Sequence, residues 1–446
     1  MSWSLTTPTY RSKILLKVAD LIESNSDDFA LAESKDQGKP VNLAKTVDIP
    51  RCVLNFRFFA TAILHDTNKS TVISQPVSAI NYVTKHPVGV AGLISPWNLP
   101  LYLLTFKMAP ALATGNTVVA KPSEFTSVTS WMLAKVLNEA GLPPGVVNFV
   151  FGTGPKAGEA LVTHPNVPLI SFTGSTATGQ RITEKSAPFY KKLSLEMGGK
   201  NACIVFDDFD YGLLPNIVRR YFSDHPASFD VTFFILRSCY ANQGEICLCS
   251  SRIFVQRKIY DRFVKDFLNI TKNLKTGDPR NHDTDLGALI SSEHRAKVQR
   301  FVDDAKSRGC KVLCGDEQLS LDPYCKDGYF MAPVALSEVQ DSDPIMQEEV
   351  FGPVVCILPF ENDEEVIYRA NNVKYGLSAS VWSKSVERLT KISQALQVGT
   401  VWCNCWLIRD LNMPFGGSKA SGIGREGADD SIEFYTERKT TCIKID

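Results

Sequence analysis

The sequence predicts an α/β fold in which parallel sheets are covered by helices. Between residues 88 and 206, short β-branched runs alternate with helical patterns, which is typical of βαβ units. A second α/β pattern begins at about residue 250. Since 446 residues exceed what one hydrophobic core organises, we expect two domains and a small appendage.

The chain opens with a helix signal followed by a hairpin signal. Thr7 and Pro8 mark a helix start, and an apolar pattern continues through residues 14–24. Residues 68–85 alternate polar and apolar side chains, which predicts a hairpin. The alternating region that follows contains GVAGLI (89–94), a helix near 102–113, TVVAKP (117–122), a helix over 127–140, VVNFV (146–150), GEALV (158–162), LISFTG (169–174), a helix from Thr176 and NACIVF (201–206).

The second half repeats the alternation. Its predicted elements are RIFVQ (252–256), helices over 260–274 and 293–308, KVLCG (311–315), PVVCILPF (353–360), a helix at 364–370 and LSASVW (377–382). The ending, TTCIKI (440–445), is a lone strand that needs a partner sheet. We expect the partner to be the 68–85 hairpin or a second subunit.

Charge and cysteine usage narrow the class of protein. Lys plus Arg and Asp plus Glu both number 48 without a run of like sign, so we expect a small-molecule partner and neither nucleic acid nor membrane. Twelve cysteines without a disulfide-scaffold spacing, and no apolar leader, favour the reducing cytoplasm. The pairs Cys247/Cys249 and Cys403/Cys405 lack a nearby His and the usual zinc spacing, so we predict no metal site.

Four local features are suited to chemistry, each with a plainer alternative. The glycines of FTGSTATG (172–179) lead into a helix whose amides suit a pyrophosphate, or they serve only the turn. Glu196 is either a carboxylate facing a cleft or a surface residue at a turn. Cys247 is either a thiol activated by backbone amides, which would lower its pKa, or a buried small apolar residue. Asn98 is either a rigid donor between two prolines or a helix cap.

Together, eight blocks in order make the sequence resemble the aldehyde dehydrogenase superfamily over nearly its whole length. The blocks are ISPWNLP (94–100), AKPSE (120–124), FTGST (172–176), LEMGGK (195–200), NQGEIC (242–247), EEVFGP (348–353), NNVKYGL (371–377) and PFGGSKASGIGRE (414–426). Within that family, residues 48–60, 92–105, 242–256 and 404–417 are most similar to members that oxidise acid-bearing semialdehydes.

The resemblance implies an NAD-dependent oxidation of an aldehyde to a free acid through a cysteine thioester. Cys247 is the implied nucleophile, Asn98 and the Cys247 amide bind the oxyanion, and Glu196 activates the hydrolytic water. The implied NAD contacts are Ser95, Trp97, Lys121, Glu124, Gly174, Ser175, Gly198, Glu349 and Phe351. The implied substrate contacts are Phe415 and the two arginines Arg51 and Arg409, which suit a carboxylate unless each pairs with a surface acid.

The resemblance also implies a domain division. A Rossmann-type NAD domain would comprise residues 1–67 and 88–199, an α/β catalytic domain 200–432, and a small oligomerisation β-sheet 68–87 and 433–446. We expect a homodimer or homotetramer. Relative to the family pattern, we expect the usual N-terminal segment to be missing, because the sequence begins at what resembles the family's first long helix.

A second departure lies in residues 221–239, which lengthen the separation of Glu196 and Cys247 to 51 positions. This apparent insertion is a tolerated surface loop, exposes VTFFIL (231–236), or displaces Cys247 from its partners. Two alternatives to an active enzyme for acid-bearing aldehydes therefore stay open. One is a catalytically impaired splice or gene-model variant that keeps the fold and NAD binding; the other is a dehydrogenase for an apolar aldehyde such as retinal.

Overall fold

The computed structural model describes residues 3–209 and 231–445. The helices are α1 Pro8–Ser24, α2 Ser26–Gln37, α3 Val41–Leu43, α4 Ile49–Ala62, α5 Pro100–Ala113, α6 Val128–Ala140, α7 Glu159–Thr163, α8 Thr176–Ser186, α9 Val231–Tyr240, α10 Tyr260–Thr271, α11 Ser292–Ser307, α12 Pro344–Gln347, α13 Asp363–Asn371, α14 Val386–Ala395 and α15 Ala428–Phe434. The strands are β1 Ser70–Ile73, β2 Ala79–Pro87, β3 Val90–Ile94, β4 Thr117–Lys121, β5 Val147–Phe149, β6 Leu169–Thr173, β7 Lys192–Glu196, β8 Asn201–Val205, β9 Ser250–Gln256, β10 Lys311–Cys314, β11 Val334–Ser337, β12 Val354–Phe360, β13 Tyr375–Gly376, β14 Ser378–Trp382, β15 Thr400–Cys403, β16 Ser418–Lys419, β17 Gly422–Ile423 and β18 Thr436–Lys444.

A six-stranded sheet in the order β17-β7-β6-β3-β4-β5 organises the first half of the chain. All its pairings are parallel except that of β17 with β7. One face packs against α1, α4, α5 and α6 in the largest apolar core, and the other face carries a smaller cluster with α7 and α8. In this sheet β4 lies on one side of β3 and β6 lies on the other. The strand order therefore reverses at β3, and a crevice opens there at the carboxyl ends of the strands.

A seven-stranded sheet in the order β10-β11-β12-β9-β8-β14-β15 organises the second half. Only β10 is antiparallel to its neighbour. Apolar clusters cover both faces of this sheet. Parallel sheets with helices on both faces confirm the predicted α/β class.

A three-stranded sheet, β1-β2-β18, stands apart from the other two. β1 and β2 form the predicted hairpin, with Ser70 opposite Tyr82. β18 pairs with β2 along its whole length, from Thr436 opposite Pro87 to Lys444 opposite Ala79. The hairpin is therefore the partner of the C-terminal strand within the chain, and β18 forms one edge of this sheet.

The predicted insertion at 221–239 is described only from residue 231 onward; residues 221–230 lie outside the described ranges. Its last part forms α9, whose Ile235, Leu236 and Cys239 are buried against the seven-stranded sheet. The expectation that the VTFFIL segment (231–236) is exposed is therefore wrong for Ile235 and Leu236. Across the described ranges, no helix combines the length and apolarity needed to cross a membrane.

Candidate active site

The predicted site residues converge where the two large sheets face each other. Glu196 ends β7, and the predicted cofactor contacts Ser95, Lys121 and Gly174 lie at or just after the carboxyl ends of β3, β4 and β6. The seven-stranded sheet contributes Cys247, which lies in the loop that precedes β9. This edge-to-edge arrangement brings motifs from distant parts of the sequence together.

The predicted nucleophile and the predicted base are in contact. The Sγ of Cys247 lies 3.7 Å from Oε1 of Glu196, and the thiol donates to that carboxylate. The second carboxylate oxygen, Oε2, accepts a hydrogen bond from the Thr173 hydroxyl at 3.2 Å. Displacement of Cys247 from its partners, one of the outcomes considered for the insertion, is not observed.

The electrostatics of this pair differ from the sequence prediction. Burial, together with the carboxylates of Glu196 and Glu349, raises the pKa of the Cys247 thiol well above its ordinary value. The predicted lowering of this pKa is wrong, because burial and the two nearby carboxylates all favour the protonated thiol. Burial and the nearby Glu426 also raise the pKa of Glu196, while Lys107 and Arg409 oppose that rise. The arrangement therefore suits a neutral thiol whose proton Glu196 accepts.

Asn98 is buried in the loop between β3 and α5. Its Nδ2 donates to the carbonyl of Glu245 at 2.8 Å, two residues before Cys247. An amide nitrogen carries two protons, so one remains for a further acceptor. The predicted oxyanion donor is thus tied to the same loop that carries the thiol.

Glu349 and the glycines of LEMGGK form one wall of the site. Oε1 of Glu349 accepts a hydrogen bond from the Gly199 amide at 3.0 Å, and a Cβ on Gly198 would stand 2.1 Å from Oε2. Burial raises the pKa of Glu349 to about 7, although the Gly199 amide, Lys297 and Lys200 lower it. A glycine at position 198 is therefore required by the close approach of this carboxylate.

Aromatic rings flank the same wall. Phe351 has a left-handed backbone, φ 62°, and its ring packs edge-on against Trp97 with centroids 5.3 Å apart. Its carbonyl lies 2.7 Å from Nε2 of His294. The hydrogen bond fixes a backbone conformation that a bulky residue rarely adopts.

The predicted nucleotide contacts lie along the carboxyl edge of the six-stranded sheet. Lys121 Nζ is 3.3 Å from Oε2 of Glu124. Ser175 caps α8, its hydroxyl accepting a hydrogen bond from the Thr178 amide at 3.2 Å. The Oγ of Ser95 is buried without a hydrogen-bond partner in the described structure. A buried hydroxyl of this kind is suited to a polar ligand.

The two predicted substrate arginines meet at Tyr102. Arg409 donates to the Tyr102 hydroxyl at 2.8 Å, and its guanidinium carbon lies 3.7 Å from the centroid of the Phe415 ring. The guanidinium carbon of Arg51 lies 5.3 Å from the Tyr102 ring centroid. Neither arginine forms an ion pair within 4.0 Å in the described part of the chain. The alternative, that each pairs with a surface acid, is therefore not observed there.

A buried ion pair behind Glu196 was missed by sequence reasoning. Lys107 Nζ lies 2.8 Å from Oε1 of Glu426, and both side chains are almost fully buried. A signal was present, because Lys107 is the one charged residue in the otherwise apolar α5. Glu426 ends the last of the eight blocks, but nothing in the sequence pairs it with α5.

The sequence matches known aldehyde dehydrogenases over nearly its whole length. A family model described as the aldehyde dehydrogenase family matches residues 1–225 and 230–441, so it passes over only a few residues within the apparent insertion. The 2-aminomuconic semialdehyde dehydrogenase of Danio rerio is 56% identical over 444 residues, which are 99% of this chain and 88% of that protein. The Homo sapiens protein of the same description is 56% identical over 445 residues, with the same coverage.

Solved structures of aldehyde dehydrogenases also superpose on nearly the whole chain. An aldehyde dehydrogenase from Bacillus cereus in complex with NAD+ superposes with a TM-score of 0.91 at 37% identity, covering 100% of this chain and 86% of that chain. A betaine aldehyde dehydrogenase from Staphylococcus aureus in complex with NAD+ superposes with a TM-score of 0.91 at 34% identity, covering 99% and 83%.

Proposed function

Because the chain belongs to the aldehyde dehydrogenase family, whose members oxidise aldehydes, we propose that its substrate is 2-aminomuconate semialdehyde. The product would be 2-aminomuconate, in the kynurenine pathway of tryptophan catabolism, and the oxidant NAD. The observation that carries the proposal is the contact between Cys247 and Glu196, 3.7 Å apart, together with the charge of Arg409 acting on Glu196. Arg409 and Arg51 both contact Tyr102, and neither has an ion-pair partner in the described structure.

The protein residues perform the covalent steps. As the Cys247 thiol passes its proton to Glu196, Sγ bonds to the aldehyde carbon and forms a tetrahedral thiohemiacetal. The free N–H of the Asn98 amide and the Cys247 amide bind its oxyanion. When bound, NAD supplies the hydride acceptor. Between the two half-reactions Glu196 releases the Cys247 proton to solvent. It then takes a proton from the water that attacks the thioester carbon, and the C–S bond breaks to free the acid. Glu196 returns this proton to the leaving sulfur, which restores the thiol.

The nucleotide crevice fits NAD. The unpartnered Ser95 hydroxyl and the capped start of α8 at Ser175 suit phosphate oxygens. Glu124, beside Lys121, would accept ribose hydroxyls and repel a 2′-phosphate, which favours NAD over NADP. The residues that would hold the cofactor are Ser95, Trp97, Lys121, Glu124, Gly174, Ser175, Gly198, Glu349 and Phe351.

The charge of the substrate pocket supports an acid-bearing aldehyde. The guanidinium groups of Arg51 and Arg409 would bind a substrate carboxylate, with Phe415 against the substrate's apolar part. An apolar chain such as that of retinal would leave both cations desolvated and unpaired, which is costly. The two 56% identical relatives are named for a substrate of the charged kind.

Assembly and location are part of the proposal. The exposed β18 edge of the three-stranded sheet supports a homodimer or homotetramer, with residues 68–87 and 433–446 as the oligomerisation unit. Residues 1–67 and 88–199 would form the NAD domain and 200–432 the catalytic domain, from which β17 reaches across to pair with β7. All twelve cysteines are free thiols, which supports the cytoplasm.

The proposal is tested by the substrate selectivity of the purified full chain. NADH formation is measured with 2-aminomuconate semialdehyde, 2-hydroxymuconate semialdehyde, retinal and an uncharged aliphatic aldehyde. We expect the highest kcat/KM for the two acid-bearing substrates. A preference for retinal or for the aliphatic aldehyde would overturn the assignment of the substrate while leaving the reaction type in place.

A further inference from the structure

The main-chain carbonyl of Asn98 is held by a buried lysine from a distant part of the chain. Lys39, just after α2, donates from Nζ to the Asn98 carbonyl at 2.9 Å. The same ammonium pairs with Asp48, just before α4, and both side chains are fully buried. Lys39 forms no hydrogen bond with Cys247 or Glu196 in the described structure; its ammonium group reaches the site through the Asn98 carbonyl.

Asn98 also receives a hydrogen bond from residues 241–249, the cysteine loop, which contains Cys247. Asn242 donates from Nδ2 to the Asn98 carbonyl at 3.1 Å and to the Glu245 carbonyl at 3.3 Å. The Asn98 side chain returns a hydrogen bond to that Glu245 carbonyl at 2.8 Å. Main chain and side chain of Asn98 are thus both fixed relative to the segment that ends at Cys247.

The cysteine loop is itself tied to the region of Lys39. The Glu245 carboxylate accepts from Gln37 Nε2 at 2.7 Å and from the Ile290 amide at 3.2 Å. Gln37 in turn accepts from the Lys39 amide at 3.0 Å. The hydrogen bonds therefore form a closed circuit through the end of α2, the Asn98 loop and the cysteine loop.

The circuit holds a backbone that is unfavourable by itself. Asn242 and Gln243 both have left-handed conformations, with φ of 54° and 57°. Gln243 is fixed by its side chain, which donates to the Ala288 carbonyl and accepts from the Gly287 amide, each at 3.2 Å. Conformations of this kind persist where the surroundings over-determine them, often next to reacting groups.

We propose that Lys39 is a positioning residue that fixes the oxyanion donor Asn98 against the cysteine loop. The inference rests on the proposed function, in which Asn98 binds the oxyanion. An ammonium has three N–H groups and a fixed charge, so it holds Asp48 and the Asn98 carbonyl together in a dry interior. Without it, the Asn98 carbonyl keeps, among the described residues, only the hydrogen bond from Asn242, and a displacement of Asn98 by about 1 Å costs roughly a hundredfold in rate.

The test is a double-mutant cycle on the acylation rate, measured in the full-length protein as the pre-steady-state formation of NADH at saturating substrate. The four proteins are wild type, Lys39→Met, Asn98→Ala and the double variant. We expect Lys39→Met to lower the rate by about ten- to a hundredfold in the wild-type background. In the Asn98→Ala background the same change should lower it by less than about threefold, because the two residues act as one unit.

Two outcomes overturn the proposal and are distinguishable. Equal losses from Lys39→Met in both backgrounds would show that Lys39 does not act through Asn98, while the proposed function stands. An Asn98→Ala variant with the wild-type rate would remove Asn98 from the reaction, and the role of Lys39 with it. A dissociation constant for NAD that is unchanged in Lys39→Met separates positioning from loss of the fold.

Two further variants distinguish a loss of positioning from a general loss of stability. Lys39→Met leaves Asp48 buried without a partner, so Lys39→Met/Asp48→Leu, which removes both charges, serves as the second form and should lose the same activity. Arg11→Met is the matched control, because Arg11 is also a buried cation on a carbonyl, Ala113, at the opposite end of α5. We expect Arg11→Met to lower the Tm without lowering the acylation rate; a loss equal to that of Lys39→Met would overturn the proposal.

Discussion

Cys247 Sγ lies 3.7 Å from Glu196 Oε1, although Glu196 ends a strand of the six-stranded sheet and Cys247 lies in the loop that leads into the seven-stranded sheet. Burial and the Glu196 carboxylate raise the pKa of the thiol, whereas burial and Glu426 raise the pKa of the Glu196 carboxyl group. A thiol next to a carboxylate keeps its proton until the carboxylate accepts it. The pair is therefore suited to proton transfer at the moment of attack.

The first prediction concerns the pH dependence of thiol reactivity. Because Glu196 is one cause of the raised pKa of Cys247, Glu196→Gln should lower that pKa. Alkylation of Cys247 by iodoacetamide should then reach half its maximal rate at a lower pH than in the wild type. Cys247 and Cys249 lie in the same tryptic peptide, so tandem mass spectrometry locates the label on one thiol or the other from the fragment ions. An unchanged or higher midpoint in Glu196→Gln would show that the carboxylate does not control the thiol.

The second prediction uses the buried pair behind the base. Glu426 raises the pKa of Glu196 and Lys107 lowers it, so Glu426→Gln should lower that pKa and Lys107→Met should raise it. Since Glu196 acts as a base in its ionised form, the acidic limb of the kcat profile should move to lower pH in Glu426→Gln and to higher pH in Lys107→Met. Shifts of the same sign in both variants would contradict this electrostatic account.

The third prediction concerns substrate charge. Arg409→Ala should remove a charge-assisted hydrogen bond of about 1.5–3 kcal/mol, which lowers kcat/KM for 2-hydroxymuconate semialdehyde by roughly ten- to a hundredfold. Both substrates are measured on the pH plateau, because Arg409 also lowers the pKa of Glu196 and its loss would move the acidic limb for every substrate. On that plateau the value for an uncharged aliphatic aldehyde should change by less than about threefold, because that substrate offers no carboxylate. Arg51→Ala provides an independent second variant. Equal losses with both substrates would remove the arginines from substrate recognition.

The fourth prediction concerns the glycine beside Glu349. In Gly198→Ala the new Cβ would stand 2.1 Å from Oε2 of Glu349, so that carboxylate must move. We expect the dissociation constant for NAD, measured by fluorescence quenching, to rise by about tenfold or more, because a contact worth more than about 1.4 kcal/mol is lost. Gly277→Ala is the matched control, since a Cβ there meets nothing within 4 Å. Equal NAD affinity in the two variants would show that Glu349 does not face the cofactor.

The α/β fold can be predicted from local patterns, whereas the proposed roles of Asn98, Glu196 and Cys247 rest on the resemblance of their sequence blocks to the family. Strands and helices follow from periodicity, and Asn98, Glu196 and Cys247 each lie in a continuous block. Their partners could not be predicted, because Lys107 and Glu426 are 319 positions apart and Lys39 and Asn98 are 59 apart. Only the tertiary structure brings such pairs together.

The error in the thiol pKa has the same origin. Gly244 and the backbone amides near Cys247 were visible in the sequence, and they suggested stabilisation of a thiolate. The carboxylates that face the sulfur come from β7 and from the segment before β12, which no local pattern connects to the cysteine loop. The charge environment of a site therefore depends on contacts that sequence blocks do not contain.

The most direct test of the account is NADH formation by the purified full chain with NAD and 2-aminomuconate semialdehyde, beside the Cys247→Ala variant. We expect turnover by the full chain, with 2-aminomuconate as the product, and none by Cys247→Ala. Turnover that persists in Cys247→Ala would contradict a cysteine-bound intermediate. A full chain that binds NAD without any turnover would contradict the account in favour of a catalytically impaired variant.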